Sequence, residues 1–131
     1  MSALESPFDR ISEAASTSAG LDLLLLFGSR ARGDVHRASD WDFGFLATPE
    51  FEPQTFIGTL MVLVGTERVD LVDLNRAGGL LRFRAARDGR VVFERRPGLA
   101  HVYRLQAADF WCDLGPLLQQ GYEDVLAGLS R

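Results

Sequence analysis

The sequence predicts an α/β (α+β) domain built on a mixed sheet of about four strands flanked by helices, with further helices at the C-terminus. Three observations predict it. Residues 21–27 form a nearly continuous apolar run, which reads as a central strand buried on both faces. Residues 41–47 alternate, with Trp41, Phe43 and Phe45 on one face and Asp42 and Gly44, preceded by Asp40, on the other. Two further apolar runs, 68–74 and 90–94, are separated from their neighbours by stretches with helical spacing.

Each element has a local reason. Ser6 followed by Pro7 reads as an N-cap with proline in the first turn. Phe8, Ile11 and Ala15 then share a helical face, and Gly20 is the expected stop. Gly28-Ser29 ends the first strand abruptly, and Arg30 to Arg32 is expected to make one helical turn. Pro53 opens a helix carrying Phe56, Ile57, Leu60, Met61 and Val64. Asn75 is the expected cap of a helix reaching about Asp88, with Gly89 as its end. Pro97-Gly98 is a loop. The stretch from Leu99 onward has no strand pattern and is expected to pack as a helical appendage, broken at Pro116.

The chain of 131 residues suits one domain, with a core over about residues 1–97 and a helical segment over about 99–131. Its formal charge of −4 argues against a general nucleic-acid binder. All fourteen basic residues are arginine, which removes every chemistry that needs a lysine, including a P-loop and a covalent lysine intermediate. Cys112 stands alone, so no intrachain disulfide or multi-cysteine zinc site can form. No signal-peptide pattern is present, and the apolar run at 23–27 is too short to span a bilayer. A cytoplasmic protein with no membrane association is the expectation.

The chemistry concentrates in Gly28-Ser29-Arg30-Ala31-Arg32-Gly33, followed by Ser39-Asp40-Trp41-Asp42. A Gly-Ser turn between a buried strand and a helical turn exposes backbone N–H groups suited to phosphate oxygens, and Ser29 adds a hydroxyl. Asp40 and Asp42 are two apart on a strand, so their carboxylates share a face, with Cα atoms about 6.5–7 Å apart. Two such acids can hold a pair of Mg²⁺ ions, or lie solvated at a strand start. The strand Val69-Asp70-Leu71-Val72-Asp73-Leu74 carries two more acids, which must point to opposite faces. Asp70 is the choice for the site, because Asp73 lies near the strand end, where a turn or an arginine can occupy it.

Gly28-Ser29, ten residues, then Asp40-x-Asp42 resembles the signature of the DNA polymerase β-like nucleotidyltransferase superfamily. With Phe27 before the turn and Arg30, Arg32 and Gly33 after it, the pattern is similar to the minimal nucleotidyltransferase branch. The resemblance covers nearly the whole chain. Trp41 departs from the family's usual aliphatic residue, and Phe43-Gly44-Phe45 is bulkier than the usual strand. The resemblance implies that Gly28 and Ser29 hold the phosphates of ATP, that Asp40 and Asp42 bind Mg²⁺ (Mn²⁺ as a substitute), and that Asp70 completes the metal site and helps activate the attacking hydroxyl. Arg30 and Arg32 are candidate triphosphate contacts.

The branch further resembles the antitoxin of two-gene HEPN/minimal-nucleotidyltransferase modules, which implies an enzyme that transfers AMP to a tyrosine of a HEPN-type ribonuclease toxin, in a homo- or hetero-oligomer. Two other readings compete: a non-catalytic antitoxin that neutralises by contact, and a small-molecule nucleotidyltransferase, for which the residues after Gly98 leave little material to build an acceptor pocket. Arg82, Arg84 and Arg87 are expected on a solvated helix face, and His36 in an exposed loop. Arg96 and His101 match the spacing of a HEPN ribonuclease motif, but Pro97-Gly98 spoils the helix it needs. Tyr103, Phe110, Trp111 and Tyr122 mark a candidate docking surface in competition with core packing.

Overall fold

The computed structural model describes residues 6–27 and 40–107. Helix α1 is Pro7–Ser16, strand β1 Leu21–Phe27, β2 Trp41–Ala47, α2 Pro53–Val64, β3 Val69–Asp73, α3 Gly79–Asp88 and β4 Arg90–Glu94. A last helix, α4, begins at 99 and is described to 107. The sheet order is β3-β2-β1-β4. β1 is antiparallel to both β2 and β4, whereas β2 and β3 are parallel and joined through α2. The mixed sheet flanked by helices agrees with the sequence.

The central position of β1 explains its composition. Leu23 to Leu26 are all fully buried, and successive side chains enter different cores. Leu24 and Leu26 join Ile11 and Ala15 of α1, Phe56 and Leu60 of α2, and Trp41, Phe43 and Phe45 of β2. Trp41 and Phe43 stack with centroids 6.1 Å apart, and Phe8 meets Trp41 at 6.2 Å. Leu23 and Leu25 join Leu74, Ala85, Ala86, Ala100, Tyr103 and Ala107 on the other face.

The ends of the elements carry the corrections. Ser6 and Asp9 form a capping box on α1. The helix closes on Thr17, and Gly20 serves the following turn at φ 81°, where a side chain would strike Thr48 and the Phe51 backbone. Asn75 does not cap α3. Its N–H donates to the Asp73 carboxylate at 2.9 Å in a local turn, which delays the helix until Gly78. Gly89 does end α3, in extended rather than left-handed backbone.

Specific contacts tie α4 to the rest of the domain. Glu94 accepts from the Gly98 and Ala100 N–H groups at 3.0 and 3.1 Å, capping the start of α4, and these bonds hold its carboxyl below the usual range. Tyr103, 2% exposed, donates its hydroxyl to the Arg82 carbonyl at 3.2 Å, and Arg104 donates to the carbonyls of Ala86 and Gly89 at the end of α3. Tyr103 therefore belongs to the core and not to a docking surface, because α3 supplies both an apolar wall and a hydroxyl partner. Phe110, Trp111 and Tyr122 lie outside the described residues. The arginines of α3 are not uniformly solvated either. Arg87 is exposed and pairs with Asp88, whereas Arg82 and Arg84 are half-buried.

Candidate active site

The site forms where the parallel pair β2–β3 begins. Its register sets Asp42 opposite Asp70, with Trp41 opposite Val69 and Phe43 opposite Leu71. In a parallel ladder, opposed residues point to the same face. Trp41, Phe43, Val69 and Leu71 are committed to the core against α1 and α2, so Asp42 and Asp70 project from the opposite face. Asp40 lies one residue before β2 with the same parity as Asp42. The three acids that the sequence singled out thus come to one end and one face of the sheet.

Their electrostatics agree with that placement. Asp42 is half-buried, and its carboxyl is raised above the ordinary value of 3.8, first by burial and then by the charges of Asp70 and Asp40. The cluster carries like charges that a hard cation would relieve, and carboxylate oxygens are the donors that Mg²⁺ prefers. By donor chemistry the residues fit such an ion. By arrangement they stop short of a complete set: among the described residues, no group of three His, Cys, Asp or Glu is gathered closely enough to hold a metal. Asp40 has another partner, for its Oδ1 lies 3.3 Å from Nε of Arg68.

Asp73 is spent elsewhere. It sits three residues, about 10 Å, along β3 from Asp70, accepts from the Asn75 N–H and lies 3.8 Å from Arg76. Gly28, Ser29, Arg30 and Arg32 lie outside the described residues. They follow Phe27, the last residue of β1, which is paired with Asp42. Across the sheet, Gly44 faces Leu74, whose side chain a Cβ would meet at 2.7 Å, so this stretch of β2 is packed while its start is left to the acids.

Sequence reasoning missed two arginines. Arg68 belongs to the site just described. Arg95 caps α1 from across the fold: its guanidinium donates to the carbonyls of Ser16 at 2.8 Å, Ser18 at 3.1 Å and Ala15 at 3.3 Å, and twice to Leu21. The lack of any basic residue in the last turn of α1 was the one available signal. Arg96 and His101 are both exposed. Arg96 stands in the turn before α4, so the two do not share a helix.

Comparison with known proteins agrees with this anatomy. Residues 9–97 match the family model described as polymerase beta, nucleotidyltransferase. A curated relative, the protein adenylyltransferase MntA of Aphanizomenon flos-aquae (strain 2012/KM1/D3), is 34% identical over 91 residues, covering 60% of this chain and 59% of the relative. The matched stretch thus spans about three-fifths of that protein's length. Among solved structures, a chain from a toxin–antitoxin with AMP-PNP superposes with a TM-score of 0.70 at 23% identity, over 92% of this chain and 96% of that one. A chain from the complex of a tri-AMPylated Shewanella oneidensis HEPN toxin with MNT antitoxin gives 0.65 at 20% identity, over 92% and 96%. These two share the fold. With a family match over most of its length and the acids of Asp-x-Asp and β3 on one face of the sheet, the chain belongs to the polymerase beta nucleotidyltransferase family.

Proposed function

We propose that this chain is a metal-dependent protein adenylyltransferase that moves AMP from ATP to a tyrosine of a HEPN-type toxin and thereby acts as its antitoxin. One observation carries the reading: the register that opposes Asp42 and Asp70 and brings Asp40 to the same end, beside the strand terminus from which Gly28-Ser29 departs. The relative named protein adenylyltransferase MntA supports AMP as the transferred group, and the fold shared with toxin–antitoxin complexes supports the partner.

The chemistry follows from the residues. Asp40, Asp42 and Asp70 would hold Mg²⁺, or Mn²⁺ in its place. Bound there, such an ion supplies a positive counter-charge for phosphate oxygens. The tyrosine Oη forms a bond to the α-phosphorus, the bond from that phosphorus to the bridging oxygen of pyrophosphate breaks, and the phenolic proton leaves toward carboxylate. Asp70, exposed at the start of β3, is the carboxylate open to an incoming hydroxyl. Gly28 and Ser29 bind the β- and γ-phosphates, with Arg30 and Arg32 against the leaving pyrophosphate. The Ser29→Ala variant should bind triphosphate about tenfold or more weaker by calorimetry, since one hydrogen bond to a charged group contributes about 1.5–3 kcal/mol.

The test is co-expression with a HEPN-type toxin as partner and intact-mass spectrometry. The wild-type chain should leave the partner heavier by one or more AMP units. The Asp40→Ala/Asp42→Ala variant should leave it unmodified and toxic. A double variant that still neutralises the toxin would establish inhibition by contact, and an AMP acceptor that proves to be a small molecule would replace the protein substrate.

A further inference from the structure

The parallel register of β2 and β3 runs without a break from Trp41↔Val69 to Phe45↔Asp73, an offset of 28 residues. Carried one rung outward, it sets Asp40 opposite Arg68. The backbone holds that rung, because the Trp41 N–H donates to the Arg68 carbonyl at 2.9 Å. Residues 40 and 68 share the parity of 42 and 70, so Asp40, Asp42, Asp70 and Arg68 form a square on one face: three acids and one base. Within it Arg68 Nε lies 3.3 Å from Asp40, and both side chains are more than half exposed, at 58% and 56%.

We propose that Arg68 is a positioning residue that holds Asp40 out of the metal set, and that loading of metal and nucleotide transfers Asp40 from the guanidinium to the ion, turning Arg68 toward the triphosphate. This rests on the metal-dependent reading above. Two observations and one chemical argument support it. The described acids fall short of a closed set of three, and Asp40 is the one with another partner. The pair is solvated, and exposed ion pairs contribute at most about 1 kcal/mol, so a divalent cation can displace it. Once displaced, a guanidinium two residues from Asp70 stands beside the place where phosphate charge must lie, and its fork suits phosphate oxygens.

The consequence is a pair of effects with opposite signs. Removing the guanidinium removes a competitor for Asp40 and a like charge near the metal, yet also removes a phosphate contact. Mn²⁺ binding to the full chain, read by electron paramagnetic resonance without nucleotide, should be about three- to tenfold tighter in Arg68→Gln than in wild type. Binding of a non-hydrolysable ATP analogue at saturating Mn²⁺ should be weaker in the same variant by at least about threefold. Arg68→Lys, which keeps the charge, should stay near wild type for Mn²⁺ alone. Equal or weaker Mn²⁺ affinity in Arg68→Gln, with wild type binding normally, would overturn the inference and leave the metal site standing. A wild-type chain that binds no Mn²⁺, with Asp42→Asn indistinguishable from it, would overturn the metal site and the inference together.

Discussion

Two arginines at opposite ends of the sheet show how one side chain serves stability in one place and chemistry in another. Arg95 follows β4 and spreads its guanidinium over the backbone carbonyls of Ala15, Ser16, Ser18 and Leu21. Those acceptors are fixed by α1 and β1, and no ligand can take them away. Arg68 precedes β3 and faces the carboxylate of Asp40, a side chain that can turn and has other uses. Donors spread over fixed backbone carbonyls are architecture, and an ion pair between two solvated side chains is a reversible contact. The same contrast separates Asp73, spent on its own turn, from Asp42, whose carboxyl is raised by burial and by the charges of Asp70 and Asp40.

The largest expected effect lies on the acids. Asp42→Asn should lower AMP transfer by more than about 100-fold in a label-transfer assay, since changes even to groups that merely support metal ligands cost about 10–100-fold. Transfer within a few-fold of wild type would place the metal elsewhere. Next comes architecture: Arg95→Ala should lose about 2 kcal/mol in denaturant unfolding, roughly 10 °C in melting temperature, because several helix-end carbonyls lose a charged donor at once.

A smaller effect has the opposite sign. Burial and like charge raise Asp42, so its contribution to stability is complete below the unfolded value of 3.8 and is lost as pH rises through the raised folded value. At neutral pH the ionised group therefore destabilises the metal-free fold. With allowance for solvent screening, Asp42→Asn should melt higher than wild type at pH 7, and the gap should narrow as pH falls toward the ordinary carboxylate value. The smallest effect completes the comparison: Arg68→Gln should change stability by less than about 0.5 kcal/mol, as expected of an exposed pair. A loss equal to that of Arg95→Ala would make Arg68 architectural too.

These contrasts mark what the sequence could and could not disclose. The face shared by Asp40 and Asp42 followed from the period of two, and the buried run 21–27 marked the central strand. Parity also separated Asp70 from Asp73, but only the β2–β3 register shows which of them stands opposite Asp42. Arg68 was invisible for the same reason. It lies two residues before Asp70, a readable spacing, yet its partner depends on an offset of 28 that no local pattern encodes. Arg95 was hidden more deeply, since its acceptors are backbone carbonyls 74 to 80 residues away and every residue has one. Tyr103 read as core more readily than as surface, and α3 supplies the hydroxyl partner that core placement needs, the Arg82 carbonyl. Asn75 is not the helix cap because it lies inside a turn closed on Asp73, which accepts from the N–H groups of residues 75 to 77 and moves the helix start to Gly78.

The central claim is that the β2–β3 acids form a cation site beside the end of β1, and crystallography with Mn²⁺ and a non-hydrolysable ATP analogue tests it most directly. Anomalous scattering should place manganese on the carboxylates of Asp42 and Asp70, with Asp40 drawn in and Arg68 turned to the phosphates. Manganese bound away from these acids, with Asp40 still on Arg68, would contradict it.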